Sequence, residues 1–290
     1  MPLLTWARLG VAAPFDPDHA FVTSPFLPRS ALAALRALLA LYALCTVITD
    51  LVLAVRDGAG HSFLSYFTQL SYIGLTAYYV AAAVQTIAYA RWGRYPLRRW
   101  PRALQVAHVL LQSTIVVFPF IVTVVFWALL ASPETFATVY SAWANTSIHA
   151  LNSVFALVEL LLTNAPPAPL LALPVQIICL AGYLGVAYIT HEAQGFYTYP
   201  FLDPSKQHGV LAAYIVGIAL GAALVFSLTR GLIMLRMRLV GLMRIRKGSD
   251  GLAERDGEGL EEWEEVGRPA ENWAAGAAGK EGAGKENGGV

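Results

Sequence analysis

Four polar residues, Asn145, His149, Asn152 and Glu159, interrupt an otherwise apolar run over residues 143–162. At about 100° per residue of helix they fall within an arc of roughly 80°, with Ala156 between them and Thr163 extending the line. Polar and ionisable groups are costly inside a bilayer and tend to face a bundle interior, where they form a site or a pathway. A second polar cluster, Ser65, Thr68, Gln69, Ser71 and Tyr72, opens another apolar run. A hydroxyl is a weak nucleophile at neutral pH. A histidine within hydrogen-bond reach can take its proton as it attacks an ester carbonyl. Thr68 with His149 would supply such a pair, and Asn145 or Asn152 could orient the imidazole or donate to a developing oxyanion. Ser65, three residues before Thr68, lies on a similar helix face and competes for the nucleophile's role. Glu159 is ten residues beyond His149, about 15 Å along the axis, too far to be its acid partner on that helix.

These residues need a membrane scaffold, and the composition supplies one. Hydrophobic residues make up 57% of the 290 and charged residues only 13%, with a mean hydropathy of +0.54. A soluble globular chain seldom reaches such values. Six runs are long enough for a hydrocarbon core that takes about 20 residues of helix: residues 31–55, 63–90, 103–131, 143–162, 169–190 and 210–232. The expected fold is all-α, a polytopic integral membrane protein with six transmembrane helices. Arg91, Arg94, Arg98, Arg99 and Arg102 fill the connection after the second run, and Arg236, Arg238, Arg244, Arg246 and Lys247 follow the sixth. By the positive-inside rule both termini are cytoplasmic. The second and fourth runs then start on the same, non-cytoplasmic side. Thr68 and His149, about five and six residues in, would lie at a matching depth of roughly 8–9 Å. Pro119 and Pro174 fall inside apolar runs, where a kink is tolerated if the freed carbonyl finds a partner.

The chain divides into an N-terminal cytoplasmic segment (1–30), the six-helix domain (31–232), a basic juxtamembrane segment (233–247) and a tail (248–290). The first of these does not have the form of a cleavable signal peptide. The basic segment is expected to meet anionic lipid headgroups or to act as a stop-transfer anchor. The tail, rich in Gly, Ala and Glu, is expected to be disordered. Nucleic acid is not an expected partner, because the cations sit in short segments beside apolar runs. Cys45 and Cys179 read as small core hydrophobes. His61, His108, His191 and His208 are scattered without ligand spacing, so no metal is implied. His108 with Gln105 and Gln112 reads as a packing network. Gly217 and Gly221 form a small-xxx-small pattern that reads as close helix packing.

Several short motifs, in order, resemble the androgen-induced family of multipass membrane proteins. Tyr66-Phe67-Thr68 is similar to the family's aromatic-Leu-Thr stretch. Phe118-Pro119 followed by Val125-Phe126-Trp127 is similar to a Phe-Pro then Val-Phe-Trp pattern. Asn145-x-x-x-His149 matches an Asn-x-x-x-His motif with Glu159 at the family's ten-residue offset, and Tyr199-Pro200-Phe201-Leu202 matches a Tyr-Pro-Phe-Leu signature. The chain resembles a divergent, fungal-like member in which Asn152 takes a position that is apolar in the animal pattern. Characterised animal members are threonine hydrolases of fatty acid esters of hydroxy fatty acids. The resemblance therefore implies a lipid ester hydrolase drawing its substrate from the bilayer, with Thr68 as nucleophile, His149 as base and no cofactor. It also implies that the loop carrying Tyr199 caps the site. An endomembrane such as the endoplasmic reticulum is expected, in preference to the plasma membrane. Two other readings stay open: a non-enzymatic lipid-binding or transport protein using the same polar stripe, and a scaffold recruiting partners through its tail. The oligomeric state is left open.

Overall fold

Runs this apolar have no stable state within lipid except a helix that satisfies its own backbone. The computed structural model describes the backbone of residues 5–266 and the side chains of residues 5–243 and 245. Among the described residues six helices are long and apolar enough to cross a membrane: α1 (Arg29–Arg56), α2 (Phe67–Trp92), α3 (Arg102–Leu130), α4 (Val139–Leu162), α5 (Ala172–Gln194) and the start of α6, Val210–Met243. No strand occurs among the described residues. α6 runs as far as Val266. Residues 267–290 of the tail expected to be disordered lie outside the described residues. Met1–Arg238 forms one compact unit and Leu239–Val290 a second.

Local chemistry sets the ends. Gly93 (φ 64) donates its N–H to Tyr89 O at the end of α2, and Gly195 (φ 77) does the same to His191 O at the end of α5. Both take the left-handed conformation that glycine adopts without strain. Thr138 and Ser141 form a reciprocal capping box at the start of α4. Pro119 divides α3 more sharply than a kink: regular helix stops at Ile115 and resumes at Phe118, as expected where a missing N–H and a ring clash fall inside a helix. Pro174 sits in the first turn of α5, where a missing N–H costs nothing, so the kink expected there does not arise. Both cysteines are exposed on the outer surface, not in the core. Their small thiols are tolerated on a face that lipid would cover.

α2 is the most deeply buried span. Tyr72, Leu75, Tyr78 and Tyr79 pack in one cluster with Ile115 and Phe118 of α3 and Ile148 and Phe155 of α4. Beyond the arginine-rich connection, Phe15, Phe21 and Val22 of the N-terminal segment cover Tyr89, Tyr95, Leu97 and Val109. The Asp16 carboxylate secures that cover, accepting from Ala20 N at 2.7 Å and Phe21 N at 3.2 Å and from the Tyr95 hydroxyl. At the same end Arg236 is buried and donates to Leu160 O at 2.8 Å and Ala165 O at 2.7 Å. It satisfies carbonyls that the end of α4 leaves free.

Candidate functional site

α4 carries its polar residues through a local defect. The turn Ser147–Leu151 is π-helix, and the turn of α3 opposite, Phe126–Leu130, is π-helix too. Such wide turns are rare and tend to mark functional sites. The two are tied together: the Trp127 indole donates to His149 O at 3.0 Å, and the Phe126 ring lies flat on the His149 imidazole with centroids 3.5 Å apart and planes within 4°. His149 is buried, and its Nδ1 has no hydrogen-bond partner among the described residues.

Thr68 lies in the first turn of α2 and lines an apolar cavity of about 230 Å³. Phe67, Val125, Phe126, Tyr183, Tyr199 and Phe201 are among the other walls. The Tyr199 hydroxyl is 3.4 Å from both the backbone N and Oγ1 of Thr68. Burial holds the Tyr199 phenol above its ordinary range, so it stays a neutral donor at physiological pH. Phe201 stacks on Tyr199 at 5.1 Å, and the Tyr-Pro-Phe-Leu loop thereby forms a wall of the cavity.

Phe126 is common to both halves, as a wall of the Thr68 cavity and a cover on His149. Among the described residues no hydrogen bond joins Thr68 to His149. The matching depth expected of them assumed helix starts at residues 63 and 143. The observed starts are Phe67 and Val139, which puts Thr68 at the beginning of its helix and His149 ten residues along its own. The amides expected to serve His149 bond elsewhere: Asn145 donates to Thr135 O at 3.1 Å and Ser141 O at 2.9 Å. Asn152 donates to Pro119 O at 3.3 Å and accepts from Thr123 Oγ1 at 3.0 Å. Ser65 is held apart from the cavity wall, accepting from Thr190 Oγ1 at 3.0 Å through its hydroxyl and from Tyr183 OH at 3.2 Å through its carbonyl.

Glu159 belongs to a different centre, which the sequence reading missed. Its carboxylate accepts from Arg36 Nε at 2.9 Å and Nη2 at 2.7 Å, and from Tyr78 OH at 3.1 Å. Arg36 Nη1 also donates to Thr86 Oγ1 at 2.7 Å and to Phe21 O at 2.8 Å. Both side chains are 0% exposed. His108 stacks on Tyr78 at 5.5 Å and is buried beside this network. The signal that could have found it was the lone cation Arg36 inside the first apolar run. Among the described residues no three His, Cys, Asp or Glu side chains converge as a metal site requires.

A family model described as FAR-17a/AIG1-like protein matches residues 30–232, a stretch that reaches from the start of α1 into α6 and includes both π turns and the loop bearing Tyr199. No curated protein and no solved structure matches the chain.

Proposed function

Because the chain belongs to the FAR-17a/AIG1-like family, the androgen-induced family of membrane proteins, we propose that it is an intramembrane lipid ester hydrolase. Thr68 is the nucleophile and His149 the base. The observation that carries this reading is the placement of Thr68 on the wall of an apolar cavity, beside a neutral phenol and one aromatic ring away from a buried imidazole. Thr68 Oγ attacks the ester carbonyl and passes its proton to His149, which returns it to the departing alkoxide. Water then adds to the acyl-threonine, gives its proton to His149, and releases the fatty acid as the threonine is reprotonated. Tyr199 OH is the donor nearest the forming oxyanion. The step needs Phe126 to swing off the imidazole, and the π turns that carry Phe126 and His149 provide local slack for that motion.

Ser65 is the weaker nucleophile, since its hydroxyl is engaged with Thr190 and it is not among the cavity walls. In the orientation that the arginines favour, both termini are cytoplasmic and the site opens toward the other face, as in an endomembrane enzyme releasing product to the lumenal side. Headgroup binding by the basic segment falls to Arg238 and the cations after it, because Arg236 is committed to carbonyls.

Purified protein in lipid nanodiscs, given branched fatty acid esters and a serine/threonine-directed covalent probe, tests the reading. Thr68→Ala and His149→Ala are each expected to lose turnover by about 10²–10⁴-fold, and Ser65→Ala to keep it. Full turnover by Thr68→Ala would exclude the nucleophile. One observation favours a second reading, a lipid-binding protein without chemistry: the hydroxyl and the imidazole are not hydrogen-bonded. That reading requires wild-type protein to bind such esters, with no turnover and no probe adduct.

A further inference from the structure

Among the described residues, Gly217 and Gly221 make no packing seam within the chain: a Cβ placed on either would meet nothing within 4 Å, whereas a small-xxx-small interface brings a neighbouring helix into contact. What adjoins them is a hollow of about 400 Å³ between the second half of α3 and the start of α6, with Phe120, Val124 and Leu129 on one side and Tyr214, Gly217 and Gly221 on the other. Its lips are open to the outside: Val124 is 63% and Leu224 60% exposed. α6 is the least buried of the six spans. Ile121, Val125 and Ile218 line this hollow and the Thr68 cavity alike. Tyr214, at one end of the hollow, meets Phe201 at 5.7 Å, and Phe201 stacks on Tyr199 beside Thr68.

The geometry points to an acyl-chain site: the hollow between α3 and α6 takes one hydrocarbon arm of a lipid ester from the bilayer and leads it to the Thr68 cavity. Three features select this occupant. The walls are apolar side chains of membrane-spanning helices, so hydrocarbon is the medium at the open lips. Residues 213–225 cover about 18 Å of helix, close to the roughly 15 Å that one leaflet's chains occupy in a 30 Å core. The three shared wall residues place the inner edge of the hollow against the cavity where the ester would react. Gly217 and Gly221 are then specificity-determining positions, their missing side chains leaving room for the chain. The chain site stands on its own geometry, and only the position of the ester rests on the hydrolase reading.

The test uses full-length Thr68→Ala protein in nanodiscs with a fatty acid ester carrying a diazirine in its acyl arm, and adducts are mapped by mass spectrometry. Adducts are expected within residues 120–129 and 213–225, and Gly217→Leu combined with Gly221→Leu is expected to remove them. Gly221→Ala, a milder change, should reduce labelling in part, which guards against a variant that fails to fold. On a Thr68 background, turnover of long-chain esters should fall by roughly tenfold or more in the double-Leu variant while short-chain esters are unaffected, the scale on which a hydrophobic pocket feels extra methylenes. Adducts mapping instead to the hollow lined by Ser71, Gly74 and Cys179 would overturn the proposal. So would labelling that the Leu substitutions leave unchanged, or a dimer that they split into monomers. The adduct map decides the chain site even if wild-type protein hydrolyses nothing, so failure of the hydrolase reading is seen separately.

Discussion

Removing Glu159 should cost stability and spare the chemistry. The carboxylate holds Arg36 through Nε and Nη2 at 2.9 and 2.7 Å, with both side chains 0% exposed. Glu159→Leu leaves a guanidinium at the protein interior with only Thr86 Oγ1 and Phe21 O as partners. An uncompensated buried charge of this kind costs about 3–5 kcal/mol, and Arg36→Met strands the carboxylate with Tyr78 OH at a similar cost. The double variant removes both charges together, so it should cost less than the sum of the singles by about 2 kcal/mol or more. Thermal unfolding in detergent, followed by tryptophan fluorescence, should show each single variant melting on the order of 10 °C lower, with partial recovery in the double. Singles costing under about 1 kcal/mol each, or summing in the double, would refute a buried pair that braces α1 to α4. Neither residue is among the walls of the Thr68 cavity. Glu159→Leu protein that stays folded should therefore retain its kcat, and loss of turnover at unchanged stability would show that the two centres are coupled.

Phe126→Leu should uncover the imidazole, because a branched aliphatic chain cannot lie flat on the ring as the phenyl does at 3.5 Å. His149 should then react faster with diethyl pyrocarbonate than in wild-type protein, and an unchanged rate would mean that Phe126 is not its shield. Tyr199→Phe removes the phenol 3.4 Å from Thr68 Oγ1 while keeping the ring that stacks on Phe201. The hydrogen bond is long, so kcat is expected to fall about tenfold with KM little changed, short of the roughly 10²–10³-fold that a well-placed oxyanion donor contributes. A fall confined to KM would make the residue part of the binding wall alone.

The six helices were legible because membrane insertion leaves a coarse signature: every expected run overlaps an observed span, and the ends differ by a few residues except at the sixth, which runs on well past residue 232. Those few residues mattered at the site. The starts of α2 and α4 moved in opposite directions, from 63 to 67 and from 143 to 139, so counting residues from the helix starts no longer gives Thr68 and His149 the same depth. The single polar stripe on α4 also assumed a uniform turn. A π turn at Ser147–Leu151 shifts every later side chain by roughly one residue's rotation, about 100°. Asn152, beyond that turn, accordingly meets α3, whereas Asn145, before it, bonds to Thr135 O. Arg36 was readable in principle as a cation inside an apolar run. Its partner lies 123 positions away, a separation that no local pattern encodes.

Two polar centres on α4 are built from the same kinds of residue and differ in how completely those residues are satisfied. Around Glu159 every acceptor is met: two guanidinium donors, a tyrosine hydroxyl, and a threonine bonded on to the α2 backbone. A buried network with all its members paired makes a rigid joint. Ten residues earlier the opposite holds. Among the described residues His149 Nδ1 is buried without a partner, and Thr68 Oγ1 has a single 3.4 Å contact, to a phenol. Buried polar groups left short of partners are costly and persist where they have work to do. The cost at His149 is sustained because the rest of the bundle is tied by the Arg36–Glu159 pair, by the Arg236 bonds to Leu160 and Ala165, and by the N-terminal cover over Tyr89 and Leu97. A protein braced at one end can hold an unbonded imidazole nitrogen and a loosely bonded hydroxyl beside an apolar cavity at the other. Loosening the brace should therefore lower the melting temperature well before it alters the reactivity of Thr68 toward a covalent probe. A variant at Arg36 that abolished probe labelling while the protein remained folded would contradict this separation of roles.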